Sequence, residues 1–226
     1  MKDFEGIKQA AHSFFKDLYS APFKAPIDPN SYPLSLVPHL MKNEENLSLM
    51  APINMQEIKK ALDHMEADKA PGPDGFATRF YKACWPIIKD DMLRMVRKSQ
   101  NCSKIGGSTN STFLAQIPKE KGASNFSRFR PISLCNTGYK LVTKIIANRL
   151  KKILPGIIPE NQGGFIKGRQ ILDNIVLVQE AIHSSCQHKE KCMVIKLDLA
   201  NTFDRVKHDF LFKVMEKLGF AQGFIN

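Results

Sequence analysis

The chain has 226 residues, 43% apolar and 24% charged, a balance that excludes wholesale disorder and leaves room for one generous domain or two small ones. Its formal net charge of +11 is concentrated: between residues 101 and 170, eight Lys and four Arg face two Glu, a net +10. Such a field draws polyanions, nucleic acid first among them, with a solvated basic face as the plainer alternative.

In chain order, the start MKDFEGIKQAAHSFF carries acids and no apolar stretch, so it is no signal peptide. A short helix is expected over 4–19, then a linker in APFKAPIDPNSYP, so residues 1–50 read as a connector or tail from something upstream. Asn54 with Glu57 three residues on is a capping-box variant, and Ile58, Ala61, Leu62 and Met65 form an apolar stripe behind it. That helix must stop before KAPGPDGF (69–76), where two prolines and two glycines make a rigid loop. A second helix is expected over 77–99, with Pro86 as a kink or first-turn residue. STFLAQIPK (111–119) and RPISLCN (130–136) read as strands, and 137–154 as a long helix.

On that helix Leu141, Val142, Ile145, Ile146, Leu150 and Ile153 share one arc, with Arg149 in its middle. A guanidinium placed there needs a carboxylate or several carbonyls, unless its stem snorkels to the edge. The glycines of PGIIPENQGGFIKGRQ (155–170) permit close backbone approach. A helix over 170–186 follows, with Ile171, Leu172, Ile175, Val178 and Ile182 as its apolar face. Next comes a buried strand that opens at Cys192 and ends on Asp198 (CMVIKLD), and a closing helix near 205–218 capped by Gly219. No apolar run reaches the ~20 residues that cross a bilayer, and five cysteines without a C-x-x-C pair match a reducing compartment. The fold class expected is α+β.

Several chemistries compete for these residues. GGFIKGRQ has the glycine spacing of a phosphate loop, but carries Arg169 and Gln170 where Lys and a hydroxyl are required. His183, Cys186, His188 and Cys192 are zinc-compatible types, yet two fall on a helix and one on a strand. Asp198, closing an apolar run, must be solvated, paired with a base, or bound to a hard cation such as Mg²⁺.

Five segments, taken together, tip this balance. KAPGPDGF (69–76), FLAQIPKEKG (113–122), FSRFRPISLCNTGYKLVTKIIANRL (126–150), IPENQGGFIKGRQILDNI (158–175) and VIKLDLANTFDRVKHDFL (194–211) stand in the order expected of a reverse transcriptase. The chain resembles the non-LTR, LINE-type retrotransposon group, most closely its plant members, over residues 50 to 220. The resemblance implies right-hand polymerase fingers and an incomplete palm over 51–226. The thumb and the second catalytic motif, with its paired aspartates, are absent from this stretch.

It further implies RNA-directed DNA synthesis with an RNA template, a DNA primer and dNTPs as partners, and two Mg²⁺ ions in a complete enzyme. Asp198 would hold the metals, with the carbonyl of Leu199 as a further ligand, and Phe203 would abut the sugar and exclude a 2′-hydroxyl. Lys119 and Arg130 would clamp the triphosphate. Gln162, Gly163, Lys167 and Arg169 would lie along the template. Thr202 stands where the family has Ala, and Asn201 where it often has a basic residue. The family's habit makes an intracellular, nuclear location the expectation. Inactivity of this stretch alone is expected, and a non-catalytic nucleic-acid-binding remnant is the alternative function.

Overall fold

The computed structural model describes residues 4–20, 32–189, 191–198 and 206–225. In chain order the elements are α1 (Phe4–Tyr19), α2 (Tyr32–Ser35), α3 (Asn43–Met50), α4 (Met55–Asp63), α5 (Thr78–Ala83), α6 (Trp85–Cys102) and α7 (Gly107–Asn110). Strands β1 (Thr112–Pro118) and β2 (Phe129–Cys135) follow. Then come α8 (Thr137–Leu150), α9 (Leu154–Ile157), α10 (Ile171–Gln187), α11 (His208–Leu218) and α12 (Gln222–Ile225). The class is α+β: helices with one small antiparallel sheet. The chain forms two compact units, one from described residues within 1–20 and 50–149, the other from those within 21–49 and 150–225.

The first unit is built on α4, α6 and α8. Asn54 caps α4 by accepting a hydrogen bond from the Glu57 N–H at 2.9 Å, and Ile58, Ala61 and Leu62 turn inward. They pack with Met92 and Val96 of α6 and Leu141, Val142 and Ile145 of α8. The expected helix over 77–99 is two helices, α5 and α6. Pro86 has no N–H and its ring obstructs the carbonyl four residues back, so the chain restarts at Trp85 with Pro86 in the first turn. Ile146, assigned to the apolar arc of α8, is exposed instead.

Arg149 does have the expected partner. Its Nε and Nη2 donate to the two carboxylate oxygens of Glu57 at 2.7 Å each, and Nη1 donates to the Ala51 carbonyl. Glu57 therefore braces α8 rather than completing a capping box on α4. The two side chains are only 11% and 25% exposed, so water screens this fork weakly.

In the second unit Met41, Leu49, Ile153, Ile157, Phe220 and Ile225 make the core. Part of the stretch read as a connector thus contributes buried side chains. Gly219, at φ 94°, ends α11 with its N–H on the carbonyls of Met215 and Glu216. Helix α8 stops at Leu150, four residues short of expectation, because Pro155 opens the short helix α9.

One expectation holds in this unit and one fails. Helix α10 forms over the expected residues, with a Gln170–Asp173 capping box that the sequence reading missed. Its apolar residues, however, are all exposed, Ile171 at 71% and Leu172 at 63% among them. The buried strand is corrected: residues 191–198 take no regular secondary structure, and Met193, Val194, Ile195 and Leu197 face solvent. A strand needs a neighbour for its N–H and C=O groups, and among the described residues the two strands of the sheet pair only with each other.

Candidate functional site

The β1–β2 ribbon carries the first group of candidate residues. Its register pairs Thr112 with Cys135, Ile117 with Arg130 and Pro118 with Phe129. The Lys119 N–H donates to the Arg128 carbonyl at 2.8 Å, which carries the pairing one step past Pro118. Strand alternation then sends Lys119, Ile117 and Arg130 to the same face. Both cations are exposed. The Lys119 ammonium donates to the Ser127 carbonyl at 2.9 Å, and Arg130 has no ion-pair partner among the described residues. Arg128, opposite Lys119, forms an ion pair with Glu120 at 2.9 Å.

At the other end of β2 the sequence reading missed the residues that orient the ribbon. Asn136 is 3% exposed and uses its whole amide: Oδ1 accepts from the Asp74 N–H at 3.1 Å, and Nδ2 donates to the carbonyls of Ser108 and Thr109. Buried Thr137 donates to the Phe76 carbonyl, and the Lys140 ammonium donates to that of Ala70. The loop APGPDGF is thus tied to the corner where β2 enters α8. Gly72 makes that contact possible, since a Cβ there would meet the Asn136 backbone N at 2.4 Å and the Cys135 carbonyl carbon at 2.5 Å. A polar Asn-Thr pair between a strand and an apolar helix was the available signal.

Within the same loop, Asp74 accepts from the Phe76 N–H and, at 3.4 Å, from the Tyr81 hydroxyl. Burial, then the charge of Asp74 and that hydrogen bond, push the Tyr81 hydroxyl up to about 12. Tyr81 is therefore a neutral donor across the physiological range.

The second group lies in the loop between α9 and α10. Arg169 is half-buried, and its guanidinium donates to the carbonyls of Pro159 (2.5 Å), Ile158 (2.8 Å), Gln162 (3.0 Å) and Pro155 (3.4 Å). It is the internal clasp of the loop. Lys167 is exposed, as is Gln162, whose amide donates to the Gly164 carbonyl. Gly163 packs beside Asn174 and Gln170, with little space for a Cβ.

The third group is the aspartate and its neighbours. Asp198 is exposed and has no ion pair among the described residues, while Leu199 and Phe203 lie outside the described residues. Among the described residues no three His, Cys, Asp or Glu side chains gather as a metal site. Mg²⁺ takes about six oxygen ligands, usually several of them waters, so Asp198 supplies at most one protein ligand of such a site. Of the zinc-compatible residues, His183 contacts Gln187 and His188 the Ser184 carbonyl, and all five cysteines are free. No described helix is long and apolar enough to cross a membrane.

Residues 117–226 match the family described as reverse transcriptase (RNA-dependent DNA polymerase). Across its whole length the chain is 29% identical to the transposon TX1 uncharacterized 149 kDa protein of Xenopus laevis, of which it covers 17%. Over 74% of the chain it is 29% identical to the probable RNA-directed DNA polymerase from transposon BS of Drosophila melanogaster, covering 19% of that protein. It is 25% identical, over 77% of the chain, to the Pol polyprotein of the type-2 retrotransposable element R2DM of the same fly, covering 16%. The chain thus spans less than a fifth of the length of these relatives. The likeness to non-LTR retrotransposon reverse transcriptases, read from five short motifs, is borne out, and the matched stretch holds Lys119, Arg130, the 159–170 loop and Asp198.

Proposed function

We propose that this chain is the fingers and the beginning of the palm of an RNA-directed DNA polymerase from a non-LTR retrotransposon. The observation that supports the reading is the ribbon register, which sets Arg130 opposite Ile117, two residues before Lys119, inside the stretch that matches the reverse-transcriptase family. Phosphoryl transfer asks little covalent chemistry of a protein and much positioning of charge. Lys119 contributes a point charge and Arg130 a planar fork, and together they suit a triphosphate. On this reading the two residues hold the incoming dNTP. A primer 3′-hydroxyl attacks its α-phosphorus, the α–β phosphoanhydride bond breaks, and pyrophosphate leaves. The loop bearing Gln162, Gly163 and Lys167 follows the template strand, Arg169 sets that loop's shape, and Phe203 meets the sugar. Asp198 and the Leu199 carbonyl would hold a divalent metal, which would neutralise phosphate charge there.

A second reading, binding to nucleic acid without catalysis, is favoured by one observation: Asp198 is exposed in a described segment, 191–198, that takes no regular secondary structure. One titration separates the two. A fluorescent dNTP is added to the full chain, with and without Mg²⁺, and to the Lys119→Ala, Arg130→Ala and Asp198→Asn variants. The polymerase reading expects a roughly 10- to 100-fold loss for each ribbon variant, the size of one charge-assisted hydrogen bond. It also expects Asp198→Asn to abolish the effect of Mg²⁺. Ribbon variants that bind like the parent chain would overturn the nucleotide role of Lys119 and Arg130. Indifference at Asp198 with RNA binding intact would leave the second reading.

A further inference from the structure

We propose that Phe165 is a stacking platform on which the 159–170 loop seats an unpaired base of a single-stranded nucleic acid. This deepens the template role of the loop and rests on that reading. Phe165 is fully exposed, at 104%, and stands at φ 66°, a left-handed conformation in which a bulky L-residue is strained. Both features run against the local rules, since nothing is gained in the folded chain by presenting an aromatic ring to water on a strained backbone. The surroundings hold it there. Ile166, the next residue, is buried, the Arg169 N–H donates to the Ile166 carbonyl, and the Arg169 guanidinium pins four carbonyls at the base of the loop. The outward ring is thus the result of an anchored turn.

Beside the ring is a cleft of about 530 Å³, with an apolar floor from Leu154, Ile158 and Ile166 and a polar rim from Asn161 and Gln162. An exposed aromatic face, an apolar floor and amides at the edge match what a nucleobase offers: a π-face to stack and an edge to hydrogen-bond. The charge decides between a base and an apolar peptide. Lys167 is exposed two residues from Phe165, and the stretch from Asn161 to Leu172 carries Lys167 and Arg169 and no acid, so the backbone that accompanies the base finds a cation beside the ring.

The test uses the full chain and a fluorescein-labelled single-stranded RNA of about 12 nucleotides, inside the span that single-strand binders cover. Affinity is measured by anisotropy across a KCl series. Phe165→Ala is expected to weaken binding roughly 5- to 150-fold, the loss of one stacked base, without changing the salt slope. Phe165→Trp retains affinity. Phe165→Gly, at ease at positive φ, loses as much as the Ala variant, which assigns the effect to the ring rather than to backbone relaxation. Lys167→Ala instead lowers the salt slope by about 0.7. RNA carrying 2-aminopurine is quenched by the parent chain and not by Phe165→Ala.

Equal RNA affinity of Phe165→Ala and the parent chain overturns the stacking role and leaves the polymerase reading standing. Duplex RNA bound as tightly as single strand, with the same dependence on Phe165, also overturns it. So does loss of self-association in sedimentation with RNA affinity unchanged, which would make Phe165 a protein contact. A parent chain that binds no RNA at low salt overturns the template reading itself.

Discussion

Residues 50–149 and residues 171–198 present similar apolar patterns and end in opposite states. Helix α8 buries Leu141, Val142 and Ile145 against α4 and α6, and seals the edge with the Arg149–Glu57 fork. Helix α10 has an apolar stripe of comparable length, yet Leu172, Ile175 and Leu177 face solvent, as do Met193 to Leu197 after it. The difference is that α8 meets two further helices whose stripes match it. Amphipathic periodicity marks which surface would be covered; only a complementary surface covers it.

The largest expected effect sharpens this contrast. Arg149→Ala strands the Glu57 carboxylate in a half-dry site and should cost about 3–5 kcal/mol, read by urea unfolding, while the double change Glu57→Leu with Arg149→Met restores most of it. Next comes a matched pair. Ile145→Ala, in the centre of the first region, should cost about 2–5 kcal/mol, whereas Leu177→Ala should stay within about 0.5 kcal/mol of the parent. Equal losses in that pair would break the comparison, because they would mean that the face of α10 is covered in solution.

The smallest effect is confined to alkaline pH. The Tyr81 proton is held more tightly in the folded chain, where the hydroxyl sits at about 12, than at its ordinary 10.0. Its stabilising contribution is therefore complete below pH 10 and is lost as pH rises toward 12. Tyr81→Phe removes the titrating group and should flatten that alkaline arm in thermal unfolding scans, with the arm unchanged if the desolvated hydroxyl is not its source.

The candidate site was legible to different depths. Lys119 and Arg130 were named from the motifs, but their common face follows from a register, Ile117 opposite Arg130, that depends on where the turn falls. Arg149 was legible because a charge within an apolar arc demands a partner; that Glu57 would leave its own helix cap to provide it was not. The resemblance laid Arg169 along the template, and its guanidinium donates to four carbonyls of its own loop, partners that residue type alone does not announce. Asn136 escaped notice because its value lies in partners at Asp74 and Ser108, far off in sequence.

By itself the sequence determined the first-turn place of Pro86, the cap at Gly219, the apolar stripe of α4, and the ordered motifs that resemble those of a reverse transcriptase. Those are local events: a ring that blocks a carbonyl, a left-handed cap, a chemistry carried by residue type. The tertiary structure alone decided which stripes became core, that residues 191–198 formed no strand, and which cations faced out. Those outcomes depend on whether a second surface of the right shape and bonding capacity is present, and that is a property of pairs of segments rather than of any one of them.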